Sequence, residues 1–382
     1  MPLRRFRDVG LWRTGERVRE TDLEILSMRA LTRREFIALG ATALVVAAGG
    51  GVMRVRLQPA PTPNAPSLPS PTPGSSAFKY PATSLPLPLW ITAPEDLYTV
   101  QYDQPPSVSL TSWSLTIHGM VRNSLRLTFD ELRALPAESR MHTLECIGNP
   151  AGGSLIGNLE WRGAALRDLL IRAGVEPQAK YATLGGVDEY FTSVPVERVM
   201  HERALLAYEM NGQPLPTQHG FPVRILLPGV YGQKQPKWLT GIKLTDTEDL
   251  GPWEKKGWSR EATIQLNSGI KFPTEANPVP RGDVLIVGVA HAGEAGVRAV
   301  ELSTDGGTTW HDTVLTRGPS PEVWTQWGYR FENPAPGRYT LLVRAIDRQG
   351  NSQAHLAGGI LGEVFPHGTS AIHSVVIQVR ET

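Results

Sequence analysis

At 382 residues the chain is too long for one ordinary domain and comfortable for two, each with a core of its own. A hydrophobic share of 41% and a charged share of 20% describe a folded globular protein, and 32 prolines with 38 glycines call for many turns between short strands. Thirty-eight basic against 37 acidic residues leave a formal charge of +1, which excludes a broad field for nucleic acid or an anionic membrane, so any anion site has to be built locally.

The single cysteine, Cys146, excludes an internal disulfide and a cysteine-held iron–sulfur cluster. It reads either as a buried apolar thiol or as a metal ligand.

In chain order, residues 1–57 form an N-terminal segment. Within it Thr32-Arg33-Arg34-Glu35-Phe36-Ile37 sets two arginines ahead of an apolar run over 36–52. That arrangement is a twin-arginine export signal, a route for proteins already folded around a cofactor. The run is short of the ~20 residues of a full span and no clear Ala-x-Ala site closes it, so it is either cleaved or kept as a membrane anchor. A buried helix is the plainer alternative. Residues 58–88 are so rich in proline that they read as an extended, solvated linker.

Globular patterning begins near Leu89. Residues 114–119 alternate like a half-buried strand, and a short helix follows with Thr128 as its N-cap. Residues 141–146 run as a strand that delivers Cys146 to a glycine-rich loop over 147–153, where the backbone can approach a bulky ligand closely. The apolar spacing over 161–174 predicts a helix closed by Gly174. Between 204 and 244, His219, Arg224, Lys234 and Lys237 lie on or beside turns flanking an apolar strand over 223–227. Such cations suit a phosphate or another fixed anion, although solvated lysines and a structural histidine are the plainer reading of each alone.

After Pro273 the composition changes. Period-two runs over 284–291, 299–303, 325–331, 339–346 and 372–378, with a hairpin signal at Asp305-Gly306-Gly307, predict a β-sandwich over 273–382.

Several separated motifs then agree in order and spacing with one family. Thr143-Leu144-Glu145-Cys146-Ile147-Gly148-Asn149, Trp161-Arg162-Gly163, the run over 206–216, His219-Gly220-Phe221-Pro222-Val223-Arg224, Pro228-Gly229 and Lys237-Trp238-Leu239 resemble the molybdopterin-binding domain of the sulfite oxidase family. The resemblance extends from about Tyr98 to the C-terminus, whose sandwich is similar to the family's immunoglobulin-like dimerisation domain. It implies an α+β chain, with a mixed α/β catalytic domain over 89–272 followed by an immunoglobulin-like sandwich. It also implies molybdenum held by a pyranopterin dithiolene and by the Cys146 thiolate. By the same carry-over His219, Arg224 and Lys237 contact the pterin and its phosphate, Lys234 adds a cation, and Asp103 meets the pterin ring where relatives use an amide. Tyr190 also matches the pattern, with a structural role the simpler one.

Three positions depart from sulfite oxidases. Pro150 and Ala151 stand near where those enzymes carry an arginine, Gln101-Tyr102-Asp103 replaces an Arg-Asn-His run, and Trp258 takes the place of the active-site tyrosine. Trp253 and Trp258 read equally as packing. Sulfite is therefore a doubtful substrate. The expected activity is two-electron oxygen-atom transfer outside the cytoplasm on a small oxo-anion or a sulfur or nitrogen oxide. Electrons would pass to an external carrier such as a cytochrome, and family habit adds a homodimer. The rival expectations are a noncatalytic exported binding protein and a sulfoxide-type reductase.

Overall fold

The computed structural model describes residues 90–276, 278–354 and 363–381, together with strand residues 12–13, 16–17, 42–47 and 51–56. The two arginines of the export motif and the proline-rich tract lie outside the described residues. Within the apolar run, Thr42–Ala47 pairs antiparallel with Gly51–Arg56, which in turn pairs with β1 (Thr99–Gln101). Among the described residues no helix is long and apolar enough to cross a membrane.

The first domain stacks two sheets. β2 (Ser114–Gly119) and β3 (Leu125–Thr128) form a hairpin, and α1 (Phe129–Arg133) follows at once. Thr128 caps α1 as expected: its hydroxyl accepts from the Glu131 amide while the Glu131 carboxylate accepts from the Thr128 amide, a reciprocal capping box. β4 (Ala137–Glu145) and β5 (Ile156–Ala165) make a long antiparallel pair whose connecting loop carries Cys146.

Next come α2 (Leu166–Ala173), β6 (Tyr181–Gly186), β7 (Phe191–Pro195), α3 (Val196–Val199), β8 (Leu205–Met210), β9 (Gln213–Pro214), β10 (Arg224–Leu226), β11 (Leu239–Thr245) and α4 (Pro252–Lys255). One sheet has the order β7-β6-β11-β2-β3 with only β11 and β2 parallel; the other runs β9-β8-β5-β4, with β10 also on β8. Leu115, Ile117, Leu184 and Ile242 from the first sheet meet Leu206 and Ile225 from the second in one apolar core.

The helix expected over 161–174 begins only at Leu166. Residues 161–165 instead end β5, because Trp161 is fully buried, its indole donates to the His142 carbonyl at 3.2 Å, and its backbone pairs opposite Arg140 and Met210. Tertiary pairing overrides the apolar spacing here. The remaining helix buries Leu166, Leu169, Leu170 and Ala173 on one face, and Gly174 closes it at φ 70°, a left-handed position that glycine takes without strain.

The C-terminal region is two four-stranded antiparallel sheets around a shared core. Its strands are β12 (Asn267–Phe272), β13 (Val284–His291), β14 (Val297–Ser303), β15 (His311–Asp312), β16 (Val314–Thr316), β17 (Thr325–Phe331), β18 (Gly337–Asp347) and β19 (His373–Val379). They are ordered β12-β13-β17-β16 in one sheet and β15-β14-β18-β19 in the other. Ile286 and Trp327 of the first meet Val300, Leu302, Leu341, Val343 and Ile377 of the second. Residues 267–272, which lie ahead of the composition change at Pro273, already belong to this sandwich as its edge strand. The expected hairpin at Asp305 joins β14 to β15, and the Asp305 carboxylate accepts from the Thr308 and Thr309 amides to close the turn.

Candidate active site

A cleft opens where the C-terminal end of β4, β1, the turn before β10 and the approach to β11 converge. Cys146 lines it, half-buried and unpaired, immediately beyond β4. The loop is closed by its own bonds. The Cys146 amide donates to the Leu155 carbonyl at 3.0 Å, and the Asn149 amide donates to the Cys146 carbonyl at 3.0 Å. The Asn149 side chain accepts from the Leu155 amide at 2.9 Å, and the Gly148 amide points at Cys146 Sγ at 3.4 Å. Burial pushes the thiol up to about 11, the Gly148 amide opposes the rise, and the Glu145 carboxylate adds to it. A thiolate here therefore calls for a cation to stabilise it. Among the described residues no three His, Cys, Asp or Glu side chains gather as a metal-ligand set.

The opposite wall is cationic. Arg224, the first residue of β10, is 3% exposed; it donates to the His219 carbonyl at 3.2 Å and the Gln235 carbonyl at 3.4 Å, while its Nε has no partner. Its guanidinium lies 5.3 Å from the Trp161 ring centre. Lys237 Nζ donates to the Gln218 carbonyl at 2.9 Å and to Gln101 Oε1 at 3.2 Å, and sits 4.4 Å from the centre of the Trp238 ring. Neither cation has a carboxylate partner among the described residues. Burial lowers Arg224 to about 10; burial first and the Arg224 charge second lower Lys237 to about 7, against a small opposing pull from Asp188. His219 is held down to about 4 by burial, then by Arg224 and Lys237, and its Nε2 lies 3.1 Å from the Pro94 carbonyl. Since a carbonyl only accepts, Nε2 carries the proton, and a pKa of about 4 leaves the ring neutral at pH 7. Two desolvated cations that repel one another, with an orphaned buried N–H, fit a bound phosphate.

The other walls are aromatic. Tyr98, Tyr102, Tyr190, Trp238, Trp253 and Trp258 all line the cleft. Trp258 packs with Ile147 beside the ligand loop and meets Phe365 edge-on at 5.1 Å. Tyr190 donates from its hydroxyl to the Gln233 carbonyl at 2.6 Å. Burial, with the neighbouring Cys146, holds the Tyr98 phenol well above its usual range, so it stays protonated.

Cys146, His219, Arg224, Lys237 and Trp258 are thus brought to one cleft. Two of the expected residues are not. Lys234 is buried with its ammonium 2.5 Å from Glu254, 2.9 Å from Thr192 Oγ1 and 3.1 Å from the Ser193 carbonyl, so its charge is spent tying α4 to β7. Asp103 is exposed, outside the cleft lining, and accepts from the Gln104 amide at 2.7 Å. The carboxyl that does line the cleft is Asp188, raised by burial. Tyr98 and Asp188 had no motif to announce them: one lies just ahead of a three-residue strand and the other in the turn after β6, and only folding brings them to Cys146.

Comparison with known proteins gives the same picture. The oxidoreductase molybdopterin-binding domain family matches residues 102–253. Mitochondrial sulfite oxidase of Rattus norvegicus is 31% identical over 303 residues, 66% of this chain and 56% of the rat protein. Sulfite oxidase of Gallus gallus is 30% identical over 312 residues, 69% and 68% respectively. An uncharacterised oxidoreductase of Bacillus subtilis is 34% identical over 156 residues, 41% of this chain and 77% of the bacterial one. The match therefore spans little more than half of the rat enzyme. Among solved structures, the sulfane dehydrogenase SoxCD of Paracoccus pantotrophus superposes with a TM-score of 0.68 at 20% identity, over 97% of this chain and 96% of the other, a likeness of fold.

Proposed function

Given that the chain belongs to the sulfite oxidase family of molybdopterin-dependent oxidoreductases and takes molybdenum–molybdopterin as its cofactor, we propose that it catalyses two-electron oxygen-atom transfer on a small sulfur or nitrogen oxide. The observation that carries the reading is the pairing of one free sulfur, Cys146, with a cationic wall in the same cleft.

When bound, the metal centre supplies the redox change, and the protein supplies binding, orientation and electrostatics. Cys146 is the protein ligand. Arg224 and Lys237 hold the pterin's phosphate, with neutral His219 beside them as a donor and acceptor rather than a third charge. The Tyr98 phenol keeps its proton and stands ready as a donor near the sulfur. Trp253, Trp258 and Tyr190 shape an aromatic approach.

A neutral oxide suits this approach better than a small dianion. The cations lining the cleft among the described residues, Arg224 and Lys237, are committed to the phosphate, and the side chains that remain are mostly aromatic and amide, with the carboxyl of Asp188. Family relatives that are sulfite oxidases bear on the cofactor and the reaction class; the aromatic walls bear on the substrate.

The finer parts of the reading rest on sequence. Arg33 and Arg34 ahead of the apolar run favour export by the twin-arginine route. Electrons are exchanged with a carrier outside these 382 residues, which contain no CxxCH haem motif. We read the C-terminal sandwich as immunoglobulin-like; the reading is supported by its strand orders β12-β13-β17-β16 and β15-β14-β18-β19, which follow the seven-strand pattern of that fold once β15 is set aside as an added edge.

The test is elemental. Protein purified from its native host should carry about one molybdenum and one pterin per chain, and the centre should be re-oxidised by a neutral sulfoxide or N-oxide more readily than reduced by sulfite. Native protein devoid of both metal and pterin would leave a noncatalytic binding protein in its place.

A further inference from the structure

The ligand sulfur is held from both sides by the other domain. On the strand side, Glu145, the last residue of β4 and direct neighbour of Cys146, is 2% exposed. Its carboxylate accepts from Asn149 Nδ2 of the ligand loop at 2.9 Å and from Asn267 Nδ2 of β12 at 3.1 Å. Its Oε2 also lies 3.0 Å from Nδ1 of His291, the fully buried last residue of β13, whose Nε2 lies 3.2 Å from the Glu322 carbonyl. The imidazole ring is thus clamped at both nitrogens, by a first-domain carboxylate and by its own domain's backbone.

On the loop side, Lys271 Nζ of β12 donates to the Gly153 carbonyl at 2.7 Å and the Gly152 carbonyl at 3.3 Å, and the Ala151 amide donates to Glu363 Oε1 at 3.0 Å. The contact is close: a Cβ added at Gly269 of β12 would lie 2.8 Å from the Gly152 Cα, and one added at Gly152 would lie 2.2 Å from the His373 Nε2.

We propose that His291 and Lys271 are positioning residues for the Cys146 sulfur, so that the C-terminal sandwich is a working part of the metal site. The chain from sandwich to sulfur is short: His291 fixes Glu145, Glu145 fixes Asn149, and Asn149 closes the loop that begins at Cys146, while Lys271 holds the far limb of that loop. Partners of this kind, one step behind a ligand, typically change metal affinity or activity 10–100-fold when removed. The proposal rests on Cys146 being the ligand.

Because Cys146 is the one cysteine in the chain, its position can be read without metal. The full-length, cofactor-free protein and its variants His291→Leu, His291→Gln and Lys271→Met are each treated with iodoacetamide well below their melting temperatures. The expected result is alkylation roughly tenfold faster in His291→Leu and Lys271→Met, with His291→Gln close to the parent because its amide can still donate to Glu145. In the loaded protein the same two variants should shift the sulfur-to-molybdenum absorption band. If both alkylate at the parent rate and keep its band, the contacts are only interdomain packing and the proposal falls. Should His291→Leu fail to fold, Lys271→Met decides alone. A parent protein lacking molybdenum would overturn the functional reading, whereas unchanged alkylation would overturn this one.

Discussion

At the scale of single residues, the site is a contest between burial and charge. The Cys146 thiol is pushed to about 11, so at neutral pH it is held mainly as the thiol until a metal displaces the proton. Replacing Cys146 with Ser should take activity to background and lower molybdenum retention roughly tenfold or more, as metal analysis after gel filtration would show; unaltered turnover would mean that the ligand lies elsewhere. Lys237 offers a second measurement. Its ammonium is depressed to about 7 in the cofactor-free cleft by burial and by Arg224. An anion binds the charged form, so binding strengthens as pH falls through about 7 and weakens as pH rises past it. Sulfate, which stays a dianion throughout, should bind the cofactor-free protein roughly tenfold more weakly at about pH 8.5 than at about pH 6 in calorimetry. The variant Lys237→Arg, whose charge does not titrate in that range, should flatten the dependence.

At the scale of elements, the motifs legible in the sequence turn out to be the ones where the backbone itself is constrained. Gly163 in the Trp-Arg-Gly motif is an example: β5 and β8 approach so closely there that an added Cβ would lie 2.1 Å from the Leu206 carbonyl oxygen, with no flexible side chain to give way. Gly163→Ala should therefore cost ~1–3 kcal/mol or more of stability, measured as a lower denaturant midpoint at unchanged slope. The sandwich strands were readable for a similar reason, since a period of two with glycine and aspartate turns leaves few alternatives. Where the reading failed, pairing with a distant strand decided the outcome. Trp161 has helical spacing to Leu169 and its neighbours, but its indole and its backbone are claimed by β4 and β8. Lys234 likewise sits among cationic motif residues, and nothing local reveals that Glu254 of α4 will take its charge.

At the scale of the whole molecule, the first domain was legible as a cofactor holder and the second as a sandwich, yet their dependence on one another was not, because the pairs that join them are far apart in sequence. Glu145 meets His291, and Arg203 meets Glu322, across the same seam. No local pattern announces either pairing: Glu145 and His291 end strands, Arg203 and Glu322 lie in turns, and only folding brings each to its partner. The Arg203 and Glu322 pair makes the seam testable by pH. Burial alone would raise the Glu322 carboxyl, but its own amide, the Arg203 guanidinium and the Ser320 hydroxyl outweigh that and leave it below the usual carboxylate value. A carboxyl depressed in the folded state adds stability above its unfolded value near 4.5, and that stability is lost as pH falls through the lower folded value. Removing the guanidinium in Arg203→Met lets the carboxyl rise, so acid loosening of the seam should begin at higher pH. The near-ultraviolet signal of Trp324, which lies at this seam with its amide 2.9 Å from Thr143 Oγ1 of the first domain, should follow the shift. An acid midpoint identical in parent and variant would mean that the Arg203 and Glu322 pair does not hold the seam.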